Sequence, residues 1–160
     1  MALIKGVNVY LSSALEKADA YFADRTDAEA WNNAAEVARE AALLSGTSVI
    51  DRMTYLGVVV SVEQKMAFPR AGAYFDPRLG ARVSYPTLGA PLRVIEASYE
   101  MSLHLLNNKG VLLDTGSLSK LEIGPITLEG AKGVQRIPVV VRQLLAPITA
   151  GVERAVWRSN

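Results

Sequence analysis

The sequence predicts an α+β fold that is mostly α: a four-helix domain with one β-hairpin, a long Pro/Gly-rich loop and an extended C-terminal tail. Three observations predict it. Apolar residues recur at three- and four-residue spacing in four stretches, and they alternate with polar ones between Leu118 and Leu128. Between Phe68 and Pro91 lie Pro69, Pro77, Pro86 and Pro91 with Gly72, Gly80 and Gly89, a density of breakers that no helix or central strand tolerates. The 160 residues, 50% of them apolar and 21% charged, suit a single domain over residues 1–150, followed by a tail over 151–160.

Ser13-Ala14-Leu15-Glu16 has capping-box spacing, so a first helix runs from Ala14 to about Asp24 with Leu15, Ala18, Tyr21 and Phe22 inward. Asp27 is placed to cap a segment from Ala28 through Trp31 that leads into a long helix, Ala34 to Met53, rich in strong helix formers. Its predicted inward stripe is Val37, Ala41, Leu44 and Ser48, flanked by Leu43, Thr47 and Ile50. Ala38, Ala42, Ser45 and Gly46 are small enough to admit another helix closely. The glycine costs about 1 kcal/mol against alanine in a helix, so close packing is the expected reason for it.

Val58-Val59-Val60 is β-branched and reads as extended. Phe68 to Pro91 then reads as an ordered loop or a mobile arm, a length more often functional than filler. Pro91 opens a third helix with two apolar flanks, Ile95/Tyr99/Ser102/Leu106 and Val94/Ala97/Met101/Leu105, and a polar stripe of Arg93, Glu96, Glu100 and His104. Asn107-Asn108-Lys109-Gly110 closes it. The hairpin, about residues 118–129, turns at Gly124-Pro125 and faces Leu121, Ile123, Ile126 and Leu128 inward. Ile137-Pro138 opens a fourth helix carrying Val141, Leu144, Leu145 and Ile148, with Pro147 as its stop.

Composition excludes several chemistries. With no Cys, thiolate zinc sites, iron–sulfur clusters and Cys nucleophiles are impossible. His104 is the lone imidazole and falls beside Glu96 and Glu100, where a solvated surface histidine is expected rather than a triad member. Acids are scattered, and Gly124, Gly130 and Ala131-Lys132-Gly133 lack phosphate-loop spacing. No catalytic, cofactor or metal site is therefore expected, and the chain reads as a non-enzyme. A net charge of +1 makes no global case for nucleic acid or anionic membranes, though a local patch remains open. Met1 to Gly6 lacks a secretory pattern and no apolar run approaches the ~20 residues of a bilayer span, so synthesis in the cytoplasm without membrane contact is expected.

One segment carries a chemical signature. Phe68, Arg70, Tyr74, Phe75, Arg78 and Arg82, with Tyr85, interleave aromatic rings and guanidinium groups, the composition of a platform that stacks bases and takes phosphates. The same residues equally suit rings that pin a loop to the core and arginines that pair locally. The hairpin offers edges for pairing with another chain, and Val152, Val156 and Trp157 place apolar groups on the tail.

The ordered set of Tyr10, Ala18-Asp19-Ala20-Tyr21-Phe22, Arg25, Trp31, Ile50-Asp51, Ala67-Phe68-Pro69-Arg70-Ala71-Gly72, Ile123-Gly124-Pro125-Ile126 and Leu144-Leu145-Ala146-Pro147 resembles a family of phage head-to-tail connector, or neck adaptor, proteins. Its members are often named DnaT-like single-stranded-DNA-binding proteins. The resemblance covers roughly residues 8 to 150, and the Phe-Pro-Arg-x-Gly element is its most specific part. It implies a virion structural protein forming a homo-oligomeric ring, of 12 copies in this family, between the portal protein and the next neck or tail protein, with double-stranded DNA passing through the lumen. On that reading Val152, Arg154, Val156, Trp157 and Arg158 meet the portal or a neighbouring subunit, and Phe68, Arg70, Tyr74, Phe75, Arg78 and Arg82 form a loop interface. The alternative that the family name implies is a single-stranded-DNA binder using those same six loop residues. Relatives often carry Trp and basic residues where this chain has Tyr55-Leu56-Gly57-Val58-Val59.

Overall fold

The computed structural model describes residues 2–4, 7–10, 14–108, 120–123, 126–129 and 137–150. In chain order the elements are β1 (Ala2–Ile4), β2 (Val7–Val9), α1 (Ala14–Phe22), α2 (Glu29–Asn32), α3 (Glu36–Asp51), β3 (Val58–Val59), β4 (Arg70–Ala71), β5 (Ala73–Asp76), β6 (Ala81–Ser84), α4 (Leu92–Asn107), β7 (Lys120–Ile123), β8 (Ile126–Glu129) and α5 (Val139–Leu145). The architecture is mixed α/β, with five helices and four separate two-stranded antiparallel sheets among the described residues. The α+β class stands, but the four-helix connector arrangement does not. Glu29–Asn32 forms a helix of its own, and α3 starts afresh after Ala35, an extended residue with φ −63° and ψ 150°.

Helix α4 is the centre. It packs against α3, α5 and α2, and both of its predicted apolar flanks are buried, with Val94, Ala97, Met101 and Ser102 fully enclosed. Because neighbours cover it on so many sides, the stripe expected to be polar and exposed is largely inside as well: Arg93 and Glu100 are each 5% exposed. A buried charge has to be paired. Arg93 grips Asp76 bidentately, Nη2 to Oδ1 at 2.6 Å and Nε to Oδ2 at 3.1 Å, and its Nη1 donates to the Leu144 carbonyl at 3.4 Å. Glu100 accepts from the Tyr21 hydroxyl at 2.7 Å and pairs with Arg25. The Arg93 guanidinium holds the Asp76 carboxyl below the usual carboxylate range.

Helix α3 turns a different face inward from the one its pattern predicts. Val37 is 66% exposed, Ala41 and Ser48 also face outward, and Ala42, Leu43, Gly46, Thr47 and Ile50 are buried. The small residues decide the rotation, since α3 meets α4 where side chains are absent. A Cβ on Gly46 would lie 2.4 Å from Ser102 Oγ and 2.9 Å from the Ser98 carbonyl oxygen. The close approach expected at this glycine is therefore present.

Two aromatic groups complete the core. Tyr21, Phe22, Trp31 and Tyr99 interlock with centroids 4.9–5.5 Å apart, and Asp19 accepts from Trp31 Nε1 at 2.8 Å and Arg39 Nη1 at 2.6 Å. Phe68 sits among Tyr10, Tyr55 and Tyr85. Asp27 pairs with Arg25 instead of capping α2, whose N-cap is Ala28. The first helix starts at Ala14 as expected and ends at Phe22, with Ala18 and Phe22 buried and Leu15 and Tyr21 half-buried; Val141 and Leu145 are buried on α5, Ile148 is buried beyond its end, and the hairpin pairs with Ile123 opposite Ile126. The hairpin's predicted inward side chains, the Ser13 cap and the 151–160 tail lie outside the described residues.

Gly46→Ala tests the α3–α4 contact. Alanine would gain up to about 1 kcal/mol of helix propensity, but overpacking costs about 1–3 kcal/mol. The expected outcome is a lower urea midpoint at unchanged slope. Asp76 gives a pH signature: because its folded-state pKa is lowered, ionised Asp76 favours folding above about pH 4, and that contribution disappears as pH falls from about 4 toward the folded value. Urea titrations between pH 6 and 2.5 should show a smaller acid-side loss in Asp76→Asn than in the wild type, from a lower starting stability.

Candidate nucleic-acid interface

Residues 68–91 are neither an irregular loop nor an arm. Val58-Val59 pairs with Arg70-Ala71, and Ala73–Asp76 pairs with Ala81–Ser84, making two short antiparallel ribbons. The turn signal lies in Asp76-Pro77-Arg78-Leu79-Gly80. Asp76 Oδ1 accepts from the Arg78 N–H at 2.9 Å, the Leu79 N–H reaches the Asp76 carbonyl at 3.1 Å, and Gly80 takes φ 61°. The two ribbons meet at glycines. A Cβ on Gly57, at φ 78°, would stand 2.4 Å from the Ala71 carbonyl oxygen, and one on Gly72 would stand 3.3 Å from Gly57 Cα.

Strand alternation divides the aromatic and arginine residues into two sets. Phe68 and Tyr74 are buried at 1% and 8% exposure, with Tyr85 beside them, so they cannot offer a face to a base. Arg70 spans four carbonyls of the preceding chain: Nε donates to Leu56 at 2.9 Å, Nη2 to Tyr55 at 3.2 Å and Gly57 at 2.6 Å, and Nη1 to Ala67 at 3.4 Å. Its guanidinium is committed to backbone. Asp51 secures the same segment, accepting the Ala67 N–H at 2.8 Å and the Tyr10 hydroxyl, whose pKa is pushed far up by burial first and then by that bond. The Phe-Pro-Arg-x-Gly element is thus a clamp, in which Phe68 is buried and Arg70 is bonded to backbone carbonyls.

Phe75 and Arg82 lie on the opposite face, and Arg78 sits at the turn with its Nε 3.8 Å from Asp76 Oδ1. Phe75 is 56% exposed and lies directly across the ladder from Arg82, which is also exposed; the turn adds Arg78 and Leu79, the latter 69% exposed. Leu79 was not anticipated, although the Asp-Pro-x-x-Gly turn carried the signal that would have placed it. From Gln64 to Leu92 every exposed charge is positive, namely Lys65, Arg78 and Arg82, because Asp76 is buried against Arg93. At the α1–α2 end the exposed charges include Glu16, Asp24, Asp27, Glu29 and Glu36. Among the described residues no cluster of three or more His, Cys, Asp or Glu could hold a metal, and no helix is long and apolar enough to cross a membrane. The five tail positions, Val152, Arg154, Val156, Trp157 and Arg158, lie outside the described residues.

A family model described as "Putative DnaT-like ssDNA binding protein" matches residues 3–158. No curated protein and no solved structure matches the chain. The match overturns the expectation of a virion neck adaptor, and with it the ring, the portal and neck partners and the passive transit of double-stranded DNA. It favours the alternative. With the match running over nearly its whole length, the chain belongs to this DnaT-like single-stranded-DNA-binding family.

Proposed function

We propose that the protein binds single-stranded DNA on the exposed face of the β5–β6 ribbon, acting by binding and not by catalysis. One observation carries the reading: an exposed aromatic ring, Phe75, stands directly across the ladder from an exposed guanidinium, Arg82. The ring offers a face on which any base can stack, and Arg82 and Arg78 offer charge to the phosphates on either side. Apolar Leu79 extends the stacking surface at the turn. The rigid mounting matters for affinity, since a ribbon already ordered by the Asp76–Arg93 pair loses little entropy on binding. Such a site reads no base edge, so sequence preference should be slight.

One stacked base is worth about 1–3 kcal/mol, or one to two orders of magnitude in affinity. Fluorescence anisotropy with labelled oligothymidylate should therefore give a salt-sensitive isotherm that weakens tenfold or more in Phe75→Ala/Arg82→Ala, with the melting temperature unchanged. Tyr74→Ala should behave oppositely in kind, lowering the melting temperature through loss of a buried ring, with any loss of binding following from unfolding. An oligonucleotide that ignores the wild-type protein, or binds the double variant equally well, overturns the proposal.

A further inference from the structure

The outward face of the β5–β6 ribbon differs from one strand to the other. On β5 it carries half-buried Ala73 and exposed Phe75, while Tyr74 and Asp76 turn inward. On β6 it carries Arg82 and Ser84, both exposed. The register sets Phe75 opposite Arg82 and Ala73 opposite Ser84, so one strand supplies apolar side chains and the other supplies polar donors. Tyr85 N–H donates to the Gly72 carbonyl at 3.0 Å, which makes Gly72 and Tyr85 a hydrogen-bonded pair. By alternation, Phe75–Arg82 and Ala73–Ser84 are non-hydrogen-bonded pairs, whose Cα atoms stand about 4.5 Å apart and whose side chains lie closest together. The two rows follow each other at two residues' rise, about 6.8 Å.

We infer that a single strand lies lengthwise on this face, its phosphates over β6 and its bases over β5, with Ser84 as a second phosphate contact beside Arg82. The inference rests on the single-stranded-DNA reading. Charge complementarity fixes the sides. The Arg82 guanidinium and the Ser84 hydroxyl both donate to phosphate oxygens, whereas Phe75 and Ala73 present only apolar surface, which suits the face of a base. The spacing fixes the direction. A step of two residues along β6 is comparable to the step between successive phosphates of a nucleotide chain, so a strand running along the ribbon meets Arg82 and Ser84 in turn. A strand running across it meets one row alone. The base over Phe75 must be unstacked and unpaired to lie there, a state that costs a single strand less than a duplex.

The test measures oligothymidylate affinity against salt for wild type, three Ser84 variants (to Ala, Lys and Phe), Ala73→Phe and the ribbon variant Phe75→Ala/Arg82→Ala, each checked by thermal melting. Ser84→Ala should weaken binding several-fold at an unchanged slope of log K against log salt, because a hydroxyl displaces no counterion. Ser84→Lys should steepen that slope by about 0.7, the share of one phosphate contact on a single strand. A new ring should help on the base side only: Ala73→Phe should tighten binding about tenfold, and Ser84→Phe should weaken it. Should Ala73→Phe fail to fold, the exposed Ser84 position carries the test through its three variants. Wild-type affinity in Ser84→Ala, a wild-type slope in Ser84→Lys, or tighter binding by Ser84→Phe overturns the lengthwise path, and leaves the ribbon reading intact where Phe75→Ala/Arg82→Ala still weakens binding. A wild type that ignores the oligonucleotide, or a ribbon variant that binds it equally well, overturns the ribbon reading and this inference with it.

Discussion

The Arg93–Asp76 pair is the contact on which the arrangement of this molecule depends. Arg93 belongs to α4, the helix that α3, α5 and α2 enclose, and a guanidinium there has no water to solvate it. Its partner is carried by β5, so the demand to neutralise a buried charge becomes a demand on where the β5–β6 ribbon sits. The same carboxylate accepts the Arg78 N–H and shapes the turn, and the same guanidinium reaches Leu144 on α5. One ion pair thereby sets the position of a helix, a ribbon and a turn relative to each other.

That pair also governs the surface. With Asp76 turned inward to Arg93, the exposed charges of residues 64–92 are Lys65, Arg78 and Arg82, and Arg78 Nε stands 3.8 Å from Asp76 Oδ1. Glu100 is likewise spent on an internal pair, with Arg25.

The Phe-Pro-Arg-x-Gly element illustrates how composition and placement differ. Aromatic and arginine residues in alternation describe a stacking platform and a loop clamp equally well, and the residues divide between the two uses. Phe68, Arg70 and Tyr74 bind the segment to the core and to the Tyr55–Gly57 backbone, while Phe75 and Arg82 are turned out. The physical cause is the period of two along β5, which sends neighbouring rings to opposite faces.

The helical segments were legible in the sequence because period, capping prolines and breakers are local: α1, α4 and α5 lie where the apolar spacing puts them, and β7–β8 pairs as its alternation requires. The composition of the candidate site was legible too, down to Phe75, Arg78 and Arg82. What the sequence left open was every feature that depends on who packs against whom. The inward face of α3 was decided by Gly46 meeting Ser102, the burial of Arg93 and Glu100 by the helices around α4, and the ribbon's exposed face by the grip on Asp76. Local pattern determines which elements form, since it reports each segment's own backbone and solvent preferences. Which of their faces meets water is decided by the tertiary structure, because desolvating a charge or admitting a close helix is an energy shared between segments far apart in the chain.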